Sequence, residues 1–518
     1  MALDSSDLQQ RRKATARRPT SKRRTANTGG RTTTIRRRRR RRRSDDPRRA
    51  VLVGTVLCGT IAITLVLITN RLLGKGSSAT SNSNTSNDRL LRDWKRKLEK
   101  YAINNSPSVE DPKAKEKARQ REERYKSLYM PKFDASELGY DIYNCPPTPP
   151  DQYPMAWKTT DVLSNWNPND VTTLPPAHRD VYQGLCVFDY QTQYAMSLKY
   201  RNAEKPFVIR NDPKVTSVVR RWDDDPEYLH RILGDVEQYR TERSPNNYFM
   251  WYRLRGSKRT PNGYQRPPND EIEMTLGEWF EHALDKDGKS LGDEGLVAKA
   301  AALRERRLSL MPKRENHEDD PLGNDIGVGD ENSEEAKQEE YYYFRLNADL
   351  RRAREASPSK FIYDELPFFD PRKRKDSEFY IVEPVAERGI NCRFGMRGVV
   401  AANHFDMSRN MIAVFGGERR YVLGSPSQCS KMALYPQGHP SVRHSSIDWS
   451  NPLDWDKHPD FKNALINEVV LHAGDVLYLP TNWFHFIVNL SINYQCNARS
   501  GTSHETSHYI EACGFKGP

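Results

Sequence analysis

The sequence predicts a mainly β domain of the α+β class, an antiparallel sandwich or barrel with helices packed outside, preceded by a basic tail and one membrane-spanning helix. Three observations carry this reading. After YYYFRL (341–346) come EFYIVEPV, RGVVAANHFD, NMIAVFGGERRYVLG, EVVLHAGDVLYLP and WFHFIVNLSINYQCNA, short β-rich runs divided by Gly, Pro and Asn. No helical text separates them, which argues against a parallel sheet. Helical stretches precede them, and near the N-terminus lies a long run without charge.

The tail comes first. Of 82 Lys+Arg, residues 1–50 hold 19 against 4 Asp, leaving 63 basic and 69 − 4 = 65 acidic side chains for the other 468 residues. The net charge of +13 therefore belongs to the tail, and the rest has no general electrostatic claim on nucleic acid. We read 1–49 as a disordered basic tail.

Residues 50–70 begin AVLVGTVLCGTIAITLVLIT, twenty residues without a charge, enough for about 30 Å of helix. Arg36–Arg43, Arg48 and Arg49 lie before it, and only Arg71 and Lys75 close behind it. The positive-inside rule then predicts a single-pass type II membrane protein with its folded part in an endomembrane lumen (ER or Golgi). The Arg run leaves nuclear import or a plastid-type transit peptide as alternatives. Beyond Cys58, six cysteines remain, an even count that suits an oxidising compartment, while six scattered thiols also suit a reduced one. At 36 % hydrophobic residues the chain is too polar to span a membrane many times, while 25 Tyr, 17 Phe and 9 Trp suffice for a core.

Residues 71–139 read as a polar stalk with charged helical text, and 140–518 as one domain with a mobile acidic insertion at 313–340. Within that domain KPFVIRND (205–212) reads as a strand. DDDPEYLHRILGD opens with a helix N-cap signal, and MTLGEWFEHAL and LVAKAAALRERRLSL continue as helices.

A metal site is suggested by one His-x-Asp among four. His178/Asp180, His317/Asp319 and His458/Asp460 lie in polar contexts and read as solvated pairs. His404 and Asp406 lie in VVAANHFD, where strand geometry turns residues i and i+2 to the same face. A carboxylate buried beside an imidazole needs a partner, and a divalent cation is the natural one. His485, behind GDVLYLPTNW, is the third ligand candidate. Two His and one carboxylate form the facial triad that holds Fe(II) with open positions. The net positive charge left there suits chelation by an anionic 2-oxo acid, with one position for dioxygen.

GVVAANHFDMSRNMIAVFGGERRYVL, followed by ALINEVVLHAGDVLYLPTNWFHFIVNLSINYQ, resembles the JmjC/cupin-like class of Fe(II)- and 2-oxoglutarate-dependent oxygenases, in the branch of the asparaginyl hydroxylase of hypoxia-inducible factor. The resemblance covers about residues 185–500 and implies a double-stranded β-helix (jelly-roll) with surrounding helices. It implies Fe(II), 2-oxoglutarate and dioxygen as cofactor and cosubstrates, and a protein or peptide substrate. Where the family has a Lys for the remote carboxylate of 2-oxoglutarate, this chain has Arg419 with Arg420 beside it, and alternation lets only one point inward. Arg499 is a further candidate; Asn410 and Asn493 match positions that line the cosubstrate pocket, and Ala401 replaces a usual Thr.

His504-Glu505-Thr506-Ser507-His508 matches the zinc-protease HExxH pattern, but only ten residues remain after it and no third ligand is in reach. His439 and His444 read as surface or substrate-loop residues. The expected function is a membrane-anchored oxygenase that hydroxylates a protein side chain. A non-catalytic cupin binding module and a nuclear JmjC chromatin hydroxylase or demethylase are the alternatives.

Overall fold

The computed structural model describes residues 112–166, 178–225, 227–234, 237–253, 266–310, 340–353 and 357–517. Nine strands from the C-terminal part build the barrel: β1 (Tyr341–Ala348), β2 (Glu387–Gly395), β3 (Val400–Phe405), β4 (Asn410–Gly416), β5 (Glu418–Gly424), β6 (Leu465–His472), β7 (Val476–Leu479), β8 (Phe484–Asn489) and β9 (Asn493–Ser500). They divide between two sheets. The larger runs Val187–Asp189, Phe207–Arg210, β7, β4, β9, β2, β1, Tyr239–Ser244 and Asp270–Met274; the smaller runs Trp157–Lys158, β6, β5, β8, β3 and Tyr248–Phe249. From β2 to β9 the chain passes repeatedly between the sheets, the arrangement of a double-stranded β-helix, and every pairing among β1–β9 is antiparallel.

The strand text is apolar on both faces because both faces are covered. Inside the barrel, Tyr421, Leu423, Val469, Leu471, Ile412, Val414 and Leu477 meet between the sheets. Val422, Ile466, Val470 and Phe486 point the other way, onto Trp449 and Phe461. The outer face of the larger sheet (Phe394, Met411, Ala413, Phe415) is roofed by helices. Each fully buried side chain of this size contributes about 1.5–3 kcal/mol. At Gly417 the β4–β5 turn has φ of +64°, and an added Cβ would stand 2.0 Å from the Ile492 carbonyl oxygen, so only glycine fits.

Side-chain caps start two of the outer helices. α1 (Pro112–Leu128) rests on the barrel through Tyr125, whose hydroxyl donates to the Val470 carbonyl at 3.0 Å. α2 (Pro213–Trp222) starts at Asp212, which accepts from the Lys214 backbone N–H, with Pro213 in the first turn. α3 (Leu276–Leu291) has a full Thr275/Glu278 capping box. The DDDPEYLHRILGD stretch yields the helix Tyr228–Leu233 with Tyr228, Ile232 and Leu233 buried, but its first residue follows Glu227, which makes no side-chain cap bond, so the expected N-cap is not formed. The six cysteines join as Cys145–Cys186, Cys392–Cys496 and Cys429–Cys513.

One expected element is corrected. No helix among the described residues is long and apolar enough to cross a membrane, and the run at 50–70 lies outside those residues. A span needs a continuous helix of about 20 residues to satisfy its backbone in hydrocarbon, and hydropathy names a candidate without supplying one. The type II topology and the endomembrane localisation rested on that helix and are withdrawn with it. The tail and most of the acidic insertion also lie outside the described residues.

Candidate metal centre

The site is built where β3 and β8 run side by side. Their register pairs Val400 with Val488 and Ala401 with Ile487, then shifts to pair His404 with His485 and Phe405 with Phe484. Three steps along β3 answer two along β8, so an extra residue is taken up at Ala402–Asn403. Such a bulge re-aims the side chains beyond it. Without it, the strand's alternation from Ala401, on the inner face, would send His404 outward. With it, His404 and Asp406 both face the interior.

His404, Asp406 and His485 offer ligand atoms that all lie within 4.8 Å of one another. The imidazole rings of His404 and His485 are 4.1 Å apart between centroids. His404 Nδ1 lies 2.8 Å from the Ala402 carbonyl oxygen and His485 Nδ1 lies 3.1 Å from that of Trp483. Each Nδ1–H donates to a carbonyl two residues upstream, which leaves both Nε2 lone pairs for a metal. Burial pushes the pKa of both imidazoles down, and for His404 the neighbouring His485 and His444 add to it. The rings are therefore neutral at pH 7, the state a ligand requires.

Asp406 is the opposite case. Burial acts to raise its carboxyl pKa, but the Arg499 guanidinium holds it below the usual carboxylate range. Arg499 Nη2 lies 3.1 Å from Asp406 Oδ2, and Asn410 Nδ2 donates to the same oxygen at 3.4 Å. Asn497 donates in turn to Asn410 Oδ1 at 2.8 Å. A neutral-imidazole pair and an ionised carboxylate, all held from behind, are a donor set that fits a 2+ transition metal.

A cavity of about 310 Å³ opens beside the triad. His404, Asp406, His485, Asn410 and Arg499 line it; Arg419 and Asn493 do not. Arg419 is wholly buried and donates through Nε to Asn493, through Nη1 to Gln495 Oε1 at 2.6 Å and Tyr343 Oη at 3.4 Å, and through Nη2 to the Arg393 carbonyl at 2.7 Å. Arg420 points to the other face, as alternation required, but is buried there too, paired with Glu468 and donating to the Val162 and Trp166 carbonyls. Ala401 lines the cavity.

Other residues escaped the sequence. His444, read as a loop residue, bridges His404 through the backbone and stacks on it at 4.9 Å and 15°, with Trp251 stacked on its ring at 6.5 Å. Nothing in its local text announces this contact. Asn497 and Gln495 had a signal: Asn493, Gln495, Asn497 and Arg499 place a polar residue at every second position of a buried strand. The HExxH match dissolves, since the helix there spans only Ser507–Ala512 and excludes His504. His178 and Asp180 form an exposed surface pair.

Comparison with known proteins agrees with the resemblance read from the sequence. The profile of the cupin-like domain matches residues 194–500. JmjC domain-containing protein D of Dictyostelium discoideum is 34 % identical over 107 residues, 20 % of this chain and 23 % of that protein. Lysine-specific demethylase 8 of Xenopus tropicalis is 34 % identical over 107 residues, again 20 % and 23 %. tRNA wybutosine-synthesizing protein 5 of Danio rerio is 29 % identical over 169 residues, 31 % of this chain and 45 % of that protein. The matched part thus spans between about a quarter and a half of these relatives.

Proposed function

The chain belongs to the cupin-like domain family, and from that premise we propose that it is an Fe(II)- and 2-oxoglutarate-dependent oxygenase that hydroxylates a protein side chain. The observation that supports this most directly is the convergence of His404, Asp406 and His485 with both Nδ1 atoms engaged and both Nε2 atoms free. These three residues would hold the iron on one face and leave its other face to the cavity.

When bound, iron supplies oxidative decarboxylation of 2-oxoglutarate by dioxygen to succinate and carbon dioxide, with the second oxygen atom inserted into a C–H bond. The chain's own groups prepare that site. Arg499 and Asn410 fix the Asp406 carboxylate. Tyr421, Ile487 and Ile412 wall the cavity against bulk water, while Trp251 and Phe249 border it from outside the barrel strands.

The reading is tested with purified full-length chain. Added Fe(II) and 2-oxoglutarate should yield succinate in the presence of dioxygen, and Asp406→Ala should reduce that yield to background. Succinate formation unchanged in Asp406→Ala would refute it. A demethylase or an RNA-modifying activity is the competing reading, because lysine-specific demethylase 8 and tRNA wybutosine-synthesizing protein 5 are both similar to this chain. Methyl-lysine peptides, unmodified peptides and tRNA offered in parallel distinguish the three.

A further inference from the structure

Arg345, Arg393 and Arg499 line the cavity, and Arg419 lies behind its wall, bonded to the lining residues Tyr343 and Gln495. Arg345 is paired with Glu242, and Arg499 with Asp406. Arg419 and Arg393 have no carboxylate at ion-pair distance among the described residues. Arg393 is half-buried, with Glu242 near enough to act on its charge but not to pair with it, and a cation so placed gains from an anion that arrives to meet it. Of the two, Arg419 has its Nε, Nη1 and Nη2 all on neutral acceptors and has no face on the cavity.

Arg393 is differently placed. It lies on β2, opposite Arg345 on β1 and Gln495 on β9, and its side chain lines the cavity. It donates through Nη1, to Asn347 Oδ1 at 3.0 Å and to the Cys392 carbonyl at 2.9 Å, and among the described residues Nε and Nη2 have no acceptor. Burial, with Arg345 nearby, pushes its pKa down to about 9, which still leaves it charged at neutral pH. Tyr343 stands beside it on the lining, and its hydroxyl, accepting from Arg419, keeps its own hydrogen to donate.

We propose that Arg393, with Tyr343, is the contact for the remote carboxylate of 2-oxoglutarate, and that Arg419 is a positioning residue that holds Tyr343, Gln495 and the Arg393 backbone in place. The assignment rests on the oxygenase reading. It moves the anchoring charge from β5 to β2, and it accounts for the Arg at position 419: a planar fork can brace three neighbours at once, which an ammonium does less well.

The test measures binding without turnover, on full-length chain loaded with Mn(II). 2-Oxoglutarate is compared with pyruvate, which keeps the 2-oxo acid and lacks the remote carboxylate. Wild type should prefer 2-oxoglutarate, and Arg393→Gln should reduce that preference about tenfold or more while pyruvate and Mn(II) affinities hold. A preference retained in Arg393→Gln and lost in Arg419→Gln would overturn the assignment. Binding of neither acid by the Mn(II)-loaded wild type would instead defeat the oxygenase reading. A second measurement needs no variant: phenylglyoxal labelling of Arg393, read by peptide mass spectrometry, should be suppressed by 2-oxoglutarate and not by pyruvate. Equal labelling with the two acids would also overturn it.

Discussion

His404 faces His485 directly across the β3–β8 ladder, ring centroids 4.1 Å apart, because one extra residue is accommodated at Ala402–Asn403. The pairing fixes two of the three candidate ligands on adjacent strands, and Asp406 stands just past the end of β3, its carbonyl accepting from the Asn482 N–H at 2.8 Å. The site is therefore held by backbone register, which side-chain substitution leaves largely intact.

Metal affinity should therefore respond to the ligands without collapse of the fold. His485→Ala is expected to weaken Fe(II) or Mn(II) binding by about tenfold or more, with the far-ultraviolet circular dichroism spectrum unchanged. Anaerobic metal titration checks this, and wild-type affinity in the variant would remove His485 from the site.

Arg499 and Asp406 make a further separable prediction. Arg499→Met deletes the charge that does most to keep the Asp406 carboxylate ionised, so its pKa should rise. Metal binding should then weaken most at low pH, where the proton competes, and recover as pH rises. Titrations at about pH 5 and about pH 8 would show it; an equal loss at both would contradict it.

Arg420 should behave as a structural residue although its neighbour lies behind the cavity. Arg420 and Glu468 are both wholly buried, and Arg420→Ala strands the carboxylate. The expected cost is about 3–5 kcal/mol of stability, measured by denaturant unfolding. Preference for 2-oxoglutarate over pyruvate in the surviving folded fraction should stay at the wild-type value.

The docking of α1 should be acid-sensitive. The His472 imidazole, with Nε2 3.2 Å from the carboxylate, works against burial and with help from Arg210 lowers the Glu122 pKa from 4.5 to about 2. A depressed carboxylate contributes stability above its unfolded pKa and loses it as pH falls through the folded value. The melting temperature should accordingly drop between about pH 4.5 and pH 2, and Glu122→Gln should flatten that part of the profile. An identical slope in the variant would exclude Glu122 as its source.

The Cys392–Cys496 bond ties β2 to β9 on the outer face of the larger sheet, across 104 residues of chain. Replacing both by Ala should lower stability by about 2–4 kcal/mol through the freed unfolded chain. Peptide mapping without reduction tests the pairing itself, and the unfolding curve tests its weight.

The run of short strands, the apolar stripe of the DDDPEYLHRILGD helix and the three ligand candidates were all legible in the text, because alternation and apolar spacing are local properties. The barrel expectation grew from them. The bulge at Ala402–Asn403, the seat of His444 against His404 and the place of Arg393 on the cavity wall were not legible, since each depends on which strand lies alongside. The expected membrane helix at 50–70 lies outside the described residues, and no helix among those residues is long and apolar enough to cross a membrane. Sequence chose the residue types; register between distant strands decided which of them meet, because a one-residue shift exchanges the two faces of a strand.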